Sequence, residues 1–305
     1  MCDDLTESDN QGWLATSKLA RRDFAAIGAS TAALAIVPGC QARAPAKTPA
    51  PAKGTAPKGL ATKARAVTVT TPDGTADGFF VTPTTGRHPA VVMWPDIAGL
   101  RDAYKTMGTR LAAAGYAVLV VNQYYRNAPA PVLASFTEWT TPAGQAKLAP
   151  MIAAIKPAGT TSDGAAFVKW LDQQAEVDTR RKIGSCGYCM GGPFTVRTAL
   201  GAPTRVGAAC SFHGAALVSD AADSPVKLLG QTRAAFLFAI AQNDDARQPD
   251  AKTALRAAAA AAHRPAEIEV YPANHGWCTI DAPVYDKPSA EKAWARMLAT
   301  YKQYL

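Results

Sequence analysis

The chain has 305 residues, of which 48% are hydrophobic and 18% are charged, and its formal net charge is +8. This balance excludes a fibre or a wholly disordered chain, and the length leaves room for one large α/β domain or two ordinary domains. Because no basic face interleaved with aromatic side chains is visible, the sequence predicts no nucleic-acid partner.

The N-terminus has the pattern of an export signal. Arg21 and Arg22 precede an apolar run without charge, residues 25–37, which is shorter than the roughly 20 residues that span a bilayer. This segment resembles a twin-arginine signal, and a glycine directly before Cys40 resembles a lipoprotein cleavage box. Residues 1–40 are therefore predicted to direct the protein to the periplasm, or to the outer side of the inner membrane through a lipidated Cys40. The alternative is an internal apolar helix of a cytosolic protein.

A flexible linker is predicted to follow the signal. Residues 41–65 are rich in alanine, proline and lysine and lack periodicity. The folded domain is expected to cover residues 66–305. Four of the six cysteines lie in that domain, at positions 186, 189, 210 and 278. They are too few and too scattered for a disulfide framework, although export would bring them into an oxidising compartment.

The folded part alternates strand-like and helix-like segments. Two β-rich runs, residues 67–70 and 78–82, flank a Pro-Asp-Gly turn signal and are expected to pair antiparallel. Further strands are predicted at residues 90–94, 116–121, 182–186, 206–212, 234–241 and 267–271. Helices are predicted at residues 103–114, 164–175, 193–200, 250–263 and 289–305.

This alternation predicts an α/β fold with one mostly parallel sheet that helices cover on both faces. The apolar run at residues 90–94 is typical of a strand buried on both sides. Residues 127–161 are rich in proline and alanine, and their weak periodicity predicts a lid or an excursion from the sheet.

Cys189 lies in the sequence Gly-Tyr-Cys-Met-Gly-Gly, between a short predicted strand and a helix. This is the form of a nucleophile elbow, in which Gly187 and Gly191 relieve the crowding of a strained turn. A sulfur at a helix N-terminus is favoured as the thiolate, and the backbone N–H of Met190 is placed to donate to an oxyanion. Two alternatives stay open: a redox pair of Cys186 and Cys189, and a buried structural cysteine.

The chain contains four histidines, at positions 88, 213, 263 and 275. The first three fit satisfied or surface residues, whereas His275 follows the last predicted strand, where the base of this fold is expected. The catalytic acid is expected between the nucleophile and the base in the order of the sequence. Asp244 and Asp245 lie in that interval, directly after the strand predicted at residues 234–241. We favour Asp244 as the carboxylate that orients His275, and the alternative is that both carboxylates cap the next helix.

Several segments together resemble the dienelactone hydrolases, a family of the α/β-hydrolase superfamily. They are Trp94-Pro-Asp-Ile-Ala-Gly-Leu100, Gly115-Tyr116, Tyr125-Arg126, Gly-Tyr-Cys189-Met-Gly-Gly, Asp244 and His275-Gly276. Their order and spacing are similar to those of the family from about residue 66 to residue 305. The resemblance implies an α/β-hydrolase fold.

The resemblance also implies roles for individual residues. It implies a catalytic triad of Cys189, His275 and Asp244, and a second oxyanion donor in the backbone N–H of Ile97. Asp96 stands where the family has a glutamate that pairs with the resting cysteine, and is therefore expected to pair with Cys189.

Tyr125 and Arg126 match a Tyr-Arg pair near the family's site. Arg126 is expected to bind a substrate carboxylate, and the alternative is an ordinary surface arginine. The sequence thus predicts a monomeric, carboxymethylenebutenolidase-like hydrolase of small esters or lactones that forms a thioester on Cys189, without metal or cofactor. The rival hypotheses are a thiol-disulfide oxidoreductase that uses Cys186 and Cys189, and a non-catalytic surface lipoprotein on a hydrolase scaffold.

Overall fold

The computed structural model describes residues 9–10 and 59–305. The twin-arginine pair, the apolar run, Cys40 and most of the linker lie outside the described residues, so export and lipidation stay predictions. In the described ranges, no helix has the length and apolar character needed to cross a bilayer.

Eight strands form one sheet in the order β1-β2-β4-β3-β5-β6-β7-β8. β1 and β2 form a hairpin, β2 pairs antiparallel with β4, and all other neighbours are parallel. The predicted antiparallel pair and the mostly parallel sheet are therefore confirmed. The strands are β1 Thr62–Thr71, β2 Gly74–Pro83, β3 Ala90–Trp94, β4 Ala117–Val121, β5 Ile183–Tyr188, β6 Val206–Phe212, β7 Ala235–Ala241 and β8 Ala266–Tyr271.

Helices connect the parallel strands, as crossovers between such strands require. Within residues 59–305 they are α1 Asp102–Ala113, α2 Phe136–Trp139, α3 Pro142–Ala154, α4 Pro157–Leu171, α5 Gly192–Gly201, α6 Pro225–Leu228, α7 Gln242–Arg247, α8 Ala251–Ala261 and α9 Lys287–Tyr304. α5 follows β5 directly, apart from one 3-10 turn.

The sheet is buried on both faces, because successive side chains of a strand point to opposite sides. In β3, Val92 and Trp94 join one apolar cluster, which also contains residues of α4 and α5. Val91 and Met93 join the other, which contains residues of α1 and α9. This arrangement confirms the predicted α/β class and the double cover of helices.

Two predicted boundaries are wrong by several residues. β1 begins at Thr62, so residues 62–65 of the predicted linker 41–65 belong to the sheet. α4 begins at Pro157 rather than at residue 164, because Pro157 occupies its first turn, where proline is favoured. The predicted excursion, residues 127–161, is largely helical and holds α2 and α3.

Residues 9 and 10 contact the far end of the chain. Asn10 is buried and its Nδ2 donates to the carbonyl oxygen of His275 at 2.9 Å. Asp9 forms an ion pair with Arg247 at 2.7 Å. Both residues lie within the predicted signal, so these contacts belong to the full-length chain.

We expect Asn10→Ala to lower the free energy of unfolding by about 1 kcal/mol, because the change removes the donor that satisfies a buried carbonyl. The matched control is Asp102→Ala, which breaks an exposed ion pair with Lys105 and should cost no more than about 0.5 kcal/mol. Urea unfolding of the full-length chain, followed by tryptophan fluorescence, measures both values. Equal stability of Asn10→Ala and the unaltered protein would show that this contact contributes nothing.

Candidate active site

Cys189 occupies a strained turn between β5 and α5. It opens the 3-10 turn Cys189–Gly191 with a φ of 52°, a left-handed conformation that is rare for a residue with a side chain. A Cβ on Gly187 would lie 2.1 Å from the carbonyl oxygen of Gly191, and a Cβ on Gly191 would lie 2.5 Å from that of Pro95. Only glycine fits at both positions, as expected for a nucleophile elbow.

His275 and Asp244 meet beside this turn. His275 Nδ1 lies 2.7 Å from Asp244 Oδ2, and the His275 ring also hydrogen-bonds the side chain of Cys189. The backbone N–H of His275 donates to Asn243 Oδ1 at 2.8 Å, which fixes the loop that carries the ring. Nδ1 faces the carboxylate, so Nε2 is the ring nitrogen left to face the sulfur. The three predicted triad side chains therefore form one connected chain of contacts.

The choice between the two aspartates follows from their partners. Asp245 binds Lys252 through both carboxylate oxygens, at 2.7 and 2.8 Å. Asp244 instead contacts the His275 ring. Because both side chains belong to α7, this short helix turns one carboxylate toward the site and the other away from it.

The surroundings of His275 favour its charged form. Burial lowers its pKa, but the charges of Asp244 and Cys189 and the hydrogen bonds to both raise the pKa to about 10. His275 is only 3% exposed, so little water screens these interactions. These contacts therefore favour the imidazolium form of His275 at neutral pH.

The predicted oxyanion donors lie on two adjoining segments. Met190 follows Cys189 in the turn, and Ile97 lies in the loop after β3. The Tyr124 hydroxyl donates to the carbonyl oxygen of Ile97 at 2.7 Å and contacts Met190 Sδ at 3.9 Å. In the described part of the chain, the loop hydrogen bonds do not engage the Ile97 N–H, although they engage both neighbouring amides.

The Asp96 carboxylate is held by its own loop, so the pairing with Cys189 expected from the family finds no support in its contacts. Its Oδ1 and Oδ2 accept from Arg101 at 2.7 and 2.9 Å, and Oδ1 also accepts from the N–H of Ala98. Aspartate is one methylene shorter than glutamate, and here its carboxylate turns back onto its own loop. Asp96 thus shapes the turn that presents Ile97.

Tyr125 and Arg126 are also engaged elsewhere. Arg126 binds Asp163 through two nitrogens, at 2.8 and 2.9 Å, and Asp73 through two more contacts. The Tyr125 hydroxyl bonds Asp163 and Thr71, both at 2.7 Å. Two carboxylates already neutralise Arg126, so the prediction that it binds a substrate carboxylate finds no support in its contacts.

Two cavities flank the elbow. One of about 190 Å³ is lined by His275, Asp244 and Arg247, and one of about 270 Å³ is lined by Met190 and Arg197. Ala215 and Ala216 line both cavities, and the Ala215 N–H donates to the carbonyl oxygen of Cys189 at 3.2 Å. The cavities therefore adjoin the loop of Ala215 and Ala216, which is bonded to the backbone of Cys189.

Arg197 lines one of these cavities and was not singled out by the sequence analysis. It is charged and buried, and its Nη2 donates to the backbone oxygen of Asp223 at 3.0 Å, with the carboxylate of that residue at 3.9 Å. Burial lowers the pKa of Arg197 more than Asp223 raises it. The available signal was an arginine within the apolar helix directly after Cys189, since a buried charge needs a partner or a function.

The Cys186 side chain lies away from Cys189. The two residues belong to different apolar clusters, one on each face of the sheet, and no disulfide joins them. Burial raises the pKa of Cys186 to about 12, although hydrogen bonds to Tyr301 and Tyr188 lower it. This placement disfavours the redox pair. Within residues 9–10 and 59–305, no group of three His, Cys, Asp or Glu side chains is placed to hold a metal ion.

Comparisons with known proteins agree with this geometry. The sequence profile of the dienelactone hydrolase family matches residues 76–305. The chain is 26% identical over 223 residues to the "Putative carboxymethylenebutenolidase" of Escherichia coli (strain K12), which covers 72% of this chain and 78% of that protein.

Solved structures are similar over most of their length. A "Putative Dienelactone Hydrolase" from Klebsiella pneumoniae subsp. pneumoniae MGH 78578 has a TM-score of 0.69 at 24% identity, over 80% of this chain and 100% of that one. A dienelactone hydrolase-like promiscuous phosphotriesterase from metagenomic libraries has a TM-score of 0.65 at 21% identity, over 80% and 99%. These likenesses show a shared fold, and the profile match over residues 76–305 shows that the chain belongs to the dienelactone hydrolase family.

Proposed function

We propose that this protein hydrolyses small esters or lactones with Cys189 as the nucleophile, His275 as the base and Asp244 as the orienting acid. Family membership supports the reaction class. The observation that carries the assignment is the hydrogen bond of a left-handed elbow cysteine to a histidine that a carboxylate holds at 2.7 Å.

Acylation uses the charged pair. The Cys189 thiolate attacks the carbonyl carbon, and the N–H groups of Met190 and Ile97 donate to the oxyanion. When the tetrahedral intermediate collapses, the bond to the alcohol oxygen breaks and His275 gives that oxygen its proton. A thioester remains on Cys189.

Deacylation uses the neutral imidazole left behind. His275 takes a proton from water as the water oxygen bonds to the thioester carbon. The second collapse expels the Cys189 thiolate, releases the acid and restores the ion pair. Because a thiolate leaves more readily than an amide nitrogen, esters and lactones are expected to react and ordinary amides to be poor substrates.

We expect Cys189→Ala to abolish hydrolysis of p-nitrophenyl acetate, because no nucleophile remains. Cys186→Ala is the matched control. It removes a sulfur from β5, the strand that precedes Cys189, and this variant should retain most of the activity. Initial rates with purified, folded variants measure both. Undiminished hydrolysis by Cys189→Ala would contradict the assignment, and loss of activity in Cys186→Ala alone would favour the redox hypothesis.

Asp244 and Asp245 allow a second matched comparison. We expect Asp244→Asn to lower kcat by about 10²- to 10⁴-fold, because His275 loses the partner that orients it and stabilises its charge. The pKa of His275 is lower in this variant, because Asp244 no longer raises it. As the pH rises, His275 therefore loses its proton at a lower pH than in the unaltered protein. Asp245→Asn breaks only the ion pair with Lys252 and should keep kcat. The pH dependence of kcat for both variants provides the test, and equal loss in the two would refute the role of Asp244.

Substrate binding is assigned to Arg197 rather than Arg126. Among the described residues that line the cavity of about 270 Å³, Arg197 alone is charged, and the others are mostly apolar. A guanidinium there favours an acyl chain that ends in a carboxylate. This assignment rests on the weak neutralisation of Arg197 by Asp223 at 3.9 Å.

We expect Arg197→Leu to raise KM for p-nitrophenyl hemisuccinate about tenfold or more, because a charged hydrogen bond to the substrate is lost. The neutral ester p-nitrophenyl butyrate serves as control and should keep its KM. Arg126→Gln should leave KM for both esters unchanged. An equal rise of KM for the charged and neutral esters would disprove charge recognition by Arg197.

A further inference from the structure

A second histidine lies beneath the catalytic pair and has no part in the mechanism above. His213 directly follows β6, is fully buried and has a φ of 39°. Its backbone N–H donates to the carbonyl oxygen of Ala239 at 2.7 Å, which ties it to β7. A left-handed histidine fixed in this way costs conformational energy, so its position calls for a physical reason.

The His213 ring binds the backbone of the nucleophile. The N–H of Cys189 donates to His213 Nδ1 at 3.1 Å. Nδ1 must therefore carry a lone pair, which places the ring proton on Nε2. Among the described residues, that Nε2 has no hydrogen-bond partner. The ring is thus held by its acceptor contact with Cys189 rather than by a network on both sides.

The same ring packs against the catalytic base. The ring centroids of His213 and His275 are 4.9 Å apart at an interplanar angle of 61°, an edge-to-face contact. His213 lines neither of the two cavities beside the elbow. His213 therefore contacts both the backbone of Cys189 and the ring of His275, and it is not positioned to contact a substrate in either cavity.

Only a neutral His213 is compatible with both contacts. A proton on Nδ1 would break the hydrogen bond from Cys189 and would place a second cation beside the His275 imidazolium. Burial lowers the pKa of His213 well below its ordinary value, and the charge of His275 lowers it further.

We propose that His213 is a positioning residue that, as a neutral acceptor, holds the left-handed Cys189 backbone so that the sulfur stays aligned with Nε2 of His275. The proposal rests on the proposed hydrolase function. The Cys189 N–H donates to His213 and is therefore not a donor to the oxyanion. On the proposed mechanism, the N–H groups of Met190 and Ile97 bind the oxyanion instead.

Two variants separate the acceptor from the volume of the ring. Asparagine tolerates a positive φ and carries an oxygen where the ring carries Nδ1, so His213→Asn keeps the acceptor. Leucine keeps volume without an acceptor, so His213→Leu leaves the Cys189 N–H unpaired. We expect kcat for p-nitrophenyl acetate to fall about tenfold in His213→Leu and to stay within about threefold in His213→Asn. KM should stay unchanged in both, since His213 lines neither cavity.

The alkylation rate of Cys189 by iodoacetamide at neutral pH is the second readout, and it does not depend on ester hydrolysis. It should fall in His213→Leu and recover in His213→Asn, because alkylation reports the thiolate that His275 stabilises. If Cys189→Ala kept esterase activity, the proposed function would fail, while the alkylation series would still decide the role of His213.

Urea unfolding of each variant distinguishes positioning from a purely structural role. A structural role predicts a lower free energy of unfolding for His213→Leu, with unchanged kcat and alkylation rate per folded molecule, and that result would overturn the proposal. Equal loss of kcat in folded His213→Asn and His213→Leu would also overturn it, because the retained acceptor would then have no effect.

Discussion

One buried guanidinium joins the loops on which the site depends. Arg101 is 1% exposed and lies between Asp96 and Asp281, with contacts of 2.7 to 2.9 Å to each carboxylate. Asp96 shapes the turn of Ile97, whereas Asp281 lies beyond His275 and accepts from the backbone that begins α2. Removing one member of a buried ion pair typically costs about 3–5 kcal/mol, because the remaining charge stays uncompensated. The loop of Ile97, the loop that runs from His275 to Asp281 and the excursion at residues 127–161 therefore share one electrostatic anchor.

The position of Cys189, the proposed nucleophile, depends on a different constraint, which is steric. Gly187 and Gly191 leave no room for a Cβ, so β5 and the 3-10 turn approach as closely as the backbone allows. That closeness holds Cys189 in its left-handed conformation, and the surrounding fold must supply the energy of the strain. The Arg101 anchor ties together the loops that carry the proposed base and oxyanion donors, whereas the glycines set where the sulfur lies. Catalytic geometry arises only where these two independent constraints agree.

The sequence predicted most of the fold because its signals were local. β3 and β6 were predicted with the bounds that the structure shows, since β3 is an apolar run between two prolines and β6 is a mostly apolar run that follows Arg205. α3 was missed because proline occurs both in its first turn and in its interior, which obscures a helical pattern. The contacts of Arg126 could not be predicted, because Asp73 and Asp163 are distant in the sequence and only folding brings them together.

The closed surroundings of the catalytic pair determine how a substrate must lie. Cys189 is 1% exposed, so its contact with His275 lies in a medium of low polarity, where charges interact strongly. The cavity with Arg197 lies on the Met190 side of the loop of Ala215 and Ala216, and the cavity with Asp244 lies on the His275 side. On the proposed mechanism, the acyl chain occupies the first cavity because the oxyanion must reach Met190. The alcohol leaves through the second cavity, since only there can His275 deliver its proton and later receive one from water.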